Sequence, residues 1–425
     1  MLRVFALALL GSLVPFGSLA LAQQSVLVIV LADIGWEDLA SAPTPVLDTM
    51  VAAGRAYTSY YTSPLCSPSR YQIQFGQLPH REFIGTALSS GAGDPDNEGA
   101  STETLSLASV LRAQGFRTAC IGKWHVNDTT IGSSEEVVRI HGFQHWLAGN
   151  GANLASHHSW VRVDDGYRSV ETTYSTIAVE DAFEAWWKAK AGPRFAVVNF
   201  YAAHHPFEVP PASTLPPGYV VGSSDREKFL ASIMALDWAI GQMATYVKLA
   251  TTTIFVVCDN GTPPPVVAAS YVSPGYKHTQ YQGGIRVPLL AIGAGVVPGT
   301  TSDLVQAVDF PATVLELFGF TAPGFSDSIS FRPTLAGAAG ARTWTFIQRF
   351  APNGGTAPVL MRDDWSLVLA SGAKVLVQDG NPEEVYDLAL DPNETVNLAG
   401  TVAGTLAIDD AWALRSSILG PDWPY

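Results

Sequence analysis

The chain reads as an α/β protein: a large, mostly parallel central sheet flanked by helices, with a small antiparallel sheet at its C-terminal end. Three observations predict this. Apolar, β-branched runs alternate with segments of helical period. Four times, reactive polar residues follow directly on such a run. Beyond a Gly/Ala-rich stretch at Ala336 to Ala341, short strand-like runs succeed one another with no helical pattern between them.

In chain order, Val26 to Leu31 is an unbroken apolar run, the pattern of a strand buried on both faces, and it ends at Asp33. Thr44-Pro45 predicts a helix start, with proline at the first helical position and Gly54 as the stop. Leu105, Leu107, Ala108 and Leu111 predict a helix that ends near Gly115. Thr118 to Ile121 is a short strand delivering Lys123 and His125, and Arg194 to Phe200 delivers His204. Phe229, Ile233, Leu236, Ile240, Met243 and Val247 recur at alternating spacings of four and three, one apolar stripe of a long helix. Thr253 to Val257 delivers Asp259 and Asn260, and Val287 to Ile292 is a further strand after Lys277. Trp344 to Phe350, Trp365 to Ala370 and Lys374 to Gln378 are the runs of the small sheet. In open α/β sheets the carboxyl ends of the strands are where ligands bind.

With 425 residues, 47% of them hydrophobic, the chain can bury a large core, and a charged fraction of 15% argues against disorder. The formal net charge is −14, which disfavours nucleic acid or an anionic membrane as partner. A local cationic pocket can still override the global sign. Arg3, the apolar stretch Val4 to Leu21 and Ala20-Leu21-Ala22 read as a secretory signal cleaved after Ala22. The expectation is export to a periplasm or the cell exterior, with no stable membrane insertion after cleavage. The domains are then a signal peptide at 1–22, a large domain at 23–335 and a small subdomain at 336–425. Three cysteines are an odd number for an exported chain, so one is free or modified, and Cys66 is the candidate. Cys120 and Cys258 either pair or stay buried as small apolar residues.

The chemistry concentrates in a few strings: Cys66-Ser67-Pro68-Ser69-Arg70, Gly122-Lys123-Trp124-His125, Ala203-His204-His205-Pro206, Cys258-Asp259-Asn260-Gly261, and Lys277. Singly, each has a bland alternative. Asp33 is a turn residue, Asp259-Asn260-Gly261 a turn, a lone histidine a core histidine, and Arg70 a salt-bridge partner. Together they supply a nucleophile, a cluster of cations and oxygen ligands for a hard metal. That inventory suits attack on a sulfate or phosphate ester.

With these strings in order, the chain resembles the type I, formylglycine-dependent sulfatases of the alkaline phosphatase superfamily. The resemblance runs from about Val26 to about Leu398. It also takes in Asp33-Ile34-Gly35-Trp36-Glu37-Asp38, Gly76 to Arg81, Gly283 to Pro288, Asp309 to Thr313, and Tyr386-Asp387-Leu388 with Asp391-Pro392. It implies an alkaline phosphatase-like sandwich. It implies that Cys66 is oxidised to formylglycine by a maturation enzyme, and that the hydrate attacks sulfur and later re-forms the aldehyde as sulfate leaves. It implies Asp33, residue 66, Asp259 and Asn260 as ligands of Ca²⁺, or of Mg²⁺ or another divalent ion. Arg70 would orient the formylglycine, and Lys123 and Lys277 would contact sulfate. His125 would take a proton when the sulfated hydrate collapses, and His204 would sit at the leaving group. The substrate would be a small-molecule or glycan sulfate ester.

The chain departs from the family at Ala32, where a second aspartate is usual, and at Gln282, where Glu is frequent. Three readings follow. The first is a sulfatase acting on a sugar or aryl sulfate. The second is a phosphate or phosphonate ester hydrolase of the same superfamily. The third is a catalytically weakened, sulfatase-like binding protein, supported by Ala32.

Overall fold

The apolar run near the N-terminus becomes the middle of the molecule. Ser25–Leu31 is a strand with every residue buried. It lies parallel to Arg194–Asn199 on one side and Thr252–Cys258 on the other, with Ile29 opposite Val198 and Val256. A strand covered on both faces has no solvent side, so its sequence is continuous rather than alternating. A computed structural model of the chain describes residues 25–88, 99–127, 133–271, 275–322, 324–350 and 363–421. The expected signal at 1–22 lies outside them.

Ten strands form the large sheet. From one edge they run Gly299–Thr301, Arg55–Tyr57, Leu289–Gly293, Thr252–Cys258, Ser25–Leu31, Arg194–Asn199, Arg117–Lys123, His145–Asn150, Trp160–Asp164 and Tyr167–Glu171. The five strands from Thr252–Cys258 to His145–Asn150 are all parallel, so their carboxyl ends share one edge. The strand after Lys277 starts at Leu289, two residues later than expected, and runs antiparallel to its neighbours. Helices 45–53 and 175–189 pack on the long helix Asp225–Tyr246, while 66–75, 107–113 and 310–317 form a second packed group.

Two helix starts differ from expectation. Thr44 makes no side-chain cap. Asp237 of the long helix accepts instead from the N–H groups of Val46 and Leu47, at 3.2 and 2.8 Å. The helix expected from Leu105 begins at Leu107, because Ser106 caps the Ser109 N–H at 3.1 Å. The predicted stripe of the long helix is buried, although Val247 falls just past its end.

The small sheet is an antiparallel meander of Trp344–Arg349, Asp364–Leu369, Ala373–Val377 and Glu384–Asp387. Its fourth strand and the helix Val402–Leu419 behind it are additions to the sequence reading. Phe346, Trp365, Leu367 and Val375 form its own core with Ala411 of that helix.

Candidate active site

Two strand ends bring the oxygen donors together. Asp33 lies two residues past Ser25–Leu31, and Asp259 directly follows Thr252–Cys258. The Asp33 N–H donates to Asp259 Oδ1 at 3.0 Å, and Asn260 Nδ2 donates to Asp33 Oδ1 at 2.8 Å. Asp33 holds a left-handed φ of 62°, which aspartate tolerates better than most residues. All three are buried.

Cys66 opens the helix Cys66–Phe75 and is buried. Pro68 costs no hydrogen bond there, because the first turn's N–H groups have no intrahelical acceptor. One turn on, Arg70 is fully buried. Its Nε and Nη2 donate to Asp259 Oδ2 at 3.0 and 2.8 Å, and its Nη1 donates to Asn199 Oδ1 at 2.8 Å. Two charge-assisted bonds to one carboxylate oxygen and a third to Asn199 lock the helix to two strand ends. Gly76, at φ 58°, closes the helix in the left-handed conformation.

Lys123 ends the strand Arg117–Lys123. The register shifts between Ile121 and Lys123, and Gly122 sits in that irregularity at φ 89°. A Cβ there would lie 2.0 Å from the Asn199 carbonyl oxygen, so only glycine fits. Lys123 Nζ is buried with no hydrogen-bond partner among the described residues. His125 Nε2 donates to the Leu88 carbonyl at 2.8 Å. A carbonyl only accepts, so the neutral ring carries its proton on Nε2 and keeps a lone pair on Nδ1. That Nδ1 is also buried and without a partner. Ser67 Oγ accepts from the Leu88 N–H at 3.0 Å, which ties this arm to the Cys66 helix.

Lys277 Nζ donates to both Asp33 oxygens at 2.8 Å and lies 3.5 Å from Cys66 Sγ. The small sheet holds its loop. Gln280 gives its N–H to Gln378 at 2.6 Å and its Nε2 to the Asp364 carbonyl at 3.1 Å. Its Oε1 accepts from Ser366 at 3.2 Å, and its carbonyl accepts from Lys374 at 2.7 Å. Lys374 is also paired with Glu394, both fully buried, and Glu394 Oε2 accepts from the Gln282 N–H at 2.8 Å. The C-terminal sheet thus fixes a residue of the centre without contributing one.

His204 Nε2 stands 3.7 Å from Asp33 Oδ2, and its Nδ1 donates to the His205 carbonyl at 2.7 Å. Asp33, Cys66 and His204 offer ligand atoms within 4.8 Å of one another. All the residues anticipated for the site therefore meet at one edge of the sheet. His157 stands behind them: it is buried and bonded to the His204 carbonyl at 3.0 Å and to Ser175 at 2.7 Å. Trp160 is buried against Tyr201, and Glu37 lines a separate small pocket with Trp36 and Arg286. Glu37 therefore does not replace the carboxylate missing at Ala32. Cys120 and Cys258 are free, and two strands separate theirs, about 14 Å of sheet.

The electrostatics follow from burial among like and unlike charges. Burial pushes the Asp33 carboxyl up, but Lys277, His204 and Lys123 together hold it well below the usual carboxylate range. Burial works against Lys277, yet Asp33 and Cys66 raise it. Lys123 is lowered, mainly by burial. Burial raises the Cys66 thiol despite Lys123 and Lys277. Burial lowers His125, and holds His204 down at about 3 despite Asp33.

Sequence reasoning missed Asn199 and Gln280. Asn199 carries a signal, as a polar residue closing the apolar run that follows Arg194. Gln280 carries none, since its partners come from a sheet about a hundred residues away.

The Sulfatase family model matches residues 24–320. Arylsulfatase A of Homo sapiens is 28% identical over 91% of this chain and 85% of its own length. N-acetylgalactosamine-6-sulfatase of Homo sapiens is 26% identical over 73% of this chain and 65% of its own. Among solved structures, Ps i-CgsB in complex with a neocarrahexaose superposes with a TM-score of 0.80 at 19% identity, covering 94% of both chains. A phosphonate monoester hydrolase from Silicibacter pomeroyi scores 0.70 at 17% identity, covering 94% of this chain and 96% of its own. At these identities the structural likenesses speak for the fold alone.

Proposed function

This chain belongs to the sulfatase family and is a sulfuric ester hydrolase; we propose that it is an exported enzyme using an aldehyde-bearing residue 66 beside a divalent cation. The observation that carries this is the pairing of a buried, poorly nucleophilic thiol, Cys66, with two buried ammonium groups, Lys123 and Lys277, that an anion would satisfy. A thiol raised by burial is mostly protonated at neutral pH and attacks weakly. Its surroundings suit an oxygen nucleophile better, with Lys277 and Asp33 both within hydrogen-bonding reach of Sγ. A formylglycine there supplies a hydrate oxygen that can attack sulfur and then release sulfate without a second displacement.

For the cation, Asn260 Oδ1 supports the reading. It is a buried acceptor with no donor among the described residues, which an adjacent cation would satisfy. With Asp33 and Asp259 it makes the all-oxygen donor set that Ca²⁺ favours, and the modified residue 66 would add a ligand. Ala32 brings no side-chain oxygen, so the set has two carboxylates rather than three. A bound divalent ion would neutralise charge on the sulfate.

The chain's own residues divide the remaining roles. Arg70 and Asp33 orient residue 66. Lys123 and Lys277 bind sulfate oxygens, and Lys123, already dehydrated and unpaired, gains most from an anion. His125 accepts a proton at Nδ1. His204 faces the leaving-group oxygen with Nε2. Export rests on the signal read at 1–22, and maturation of Cys66 requires a partner enzyme that recognises the pentapeptide.

Cys66→Ala tests the reading. It should abolish hydrolysis of a chromogenic aryl sulfate while the far-UV circular dichroism stays unchanged; wild-type turnover would refute residue 66 as nucleophile. A phosphonate ester in the same assay distinguishes the hydrolase alternative. A binding-only protein would turn over neither ester even with residue 66 modified.

A further inference from the structure

The cleft that opens onto Cys66 has a volume of about 860 Å³. Leu65, Ala87, Phe207 and the run Pro263, Pro264, Pro265 form its apolar wall. Proline has no backbone N–H and a fixed φ, so three in succession make a stiff surface that donates no hydrogen bond. Phe207 is braced edge-on by Phe229, with ring centroids 6.0 Å apart. A sugar ring brings several hydroxyls that lose water on entering and each need a partner. Apart from Asp33, His204 and Lys277 at the centre, the described lining offers Asn153, His205, Asp225 and His278 for that, none of them on this wall. An aryl or alkyl group brings no hydroxyl and gains from this wall.

Charge points the same way. Among the described residues lining the cleft, Lys277 is the only lysine or arginine, and it is bonded to Asp33. Asp225 lines it as well, with Lys228 3.7 Å away. A second sulfate or a carboxylate on the ligand would find, in this described lining, no lysine or arginine that is not already bonded to a carboxylate, and two carboxylates, Asp33 and Asp225, on a chain of formal net charge −14.

We propose that the organic half of the ester is apolar and uncharged: an aryl or alkyl monosulfate rather than a polysulfated glycan. This rests on the sulfate-ester reading above and adds Phe207 and the proline wall as specificity determinants.

The test compares 2-naphthyl sulfate, D-glucosamine 6-sulfate and D-glucosamine N,6-disulfate as substrates of the matured protein. The kcat/KM for naphthyl sulfate should exceed both sugars by about tenfold or more, with the disulfate last. Phe207→Ala should lower kcat/KM for naphthyl sulfate about tenfold and leave glucosamine 6-sulfate within about twofold. Phe207→Leu, which keeps most of the bulk, should fall between. A disulfate that equals or beats naphthyl sulfate, or a Phe207→Ala loss shared equally by all substrates while Phe207→Leu discriminates no better, overturns the assignment. If no sulfate ester turns over, the enzymatic reading has failed separately. The cleft is then tested by calorimetry on the Cys66→Ala protein with the same compounds: tighter binding of naphthyl sulfate supports the proposal, and no preference or a preference for the disulfate overturns it.

Discussion

The two halves of the centre are built differently. On the Asp33, Asp259 and Arg70 side, every carboxylate oxygen accepts from a donor within the fold. On the Lys123 and His125 side, Lys123 Nζ and His125 Nδ1 are equally buried and have no partner among the described residues. Folding pairs the charges of the first half and leaves the neutral Asn260 Oδ1 open among the described residues. The second is held in a costly state that an anion would relieve, because a dehydrated, unpaired ammonium is far from its preferred surroundings. Substitutions in the two halves should therefore separate stability from activity.

The largest effect is expected in the paired half. Arg70→Met leaves Asp259 buried without its guanidinium and should cost about 3–5 kcal/mol of stability along with activity. Urea melts check this, and a loss below about 1 kcal/mol would mean that Asp259 relaxes freely. In the unpaired half, Lys123→Met should lower kcat by about 10²- to 10³-fold. Its melting temperature should hold or rise, since the substitution removes a buried charge that nothing satisfies. A melting temperature that drops as far as that of Arg70→Met would erase the contrast.

A residue outside both halves supplies a control of pH dependence. Burial raises the Glu180 carboxyl from 4.5 to about 7, and Tyr246 donates to it at 2.8 Å. Between those values the folded chain keeps a proton that the unfolded chain has released. Its contribution is thus fully present below pH 4.5 and is lost as pH rises through about 7. Glu180→Gln should gain about 1–2 kcal/mol on wild type between pH 4.5 and pH 8. An equal difference at both pH values would contradict the assignment.

The smallest effect sharpens the comparison from the other side. Ala32→Asp adds a carboxylate beside the paired half, and Ca²⁺ affinity should rise about tenfold by calorimetry. Unchanged affinity would mean that Asp33, Asp259 and Asn260 already form a full site.

Much of this was legible in the sequence because the central strands are apolar without interruption and their reactive residues follow within a few positions. Val26 to Leu31 announces both a buried strand and the place of Asp33. The last two strands of the large sheet, Trp160–Asp164 and Tyr167–Glu171, were not legible, because they are short and half-exposed. The helix Val402–Leu419 also escaped, since Val402 and Leu406 put apolar side chains on its exposed face. At the site, the candidate oxygen donors and cations were readable from their strings, and the fold brings them together. The supports were not: Asn199, His157, Gln280 and the Lys374–Glu394 pair act through contacts that only the folded chain brings together.

The most direct test is mass spectrometry of the peptide containing residue 66, from protein made in its native host. The account predicts the mass of an aldehyde in place of the thiol at that position. An intact cysteine in protein that nonetheless hydrolyses sulfate esters would contradict it.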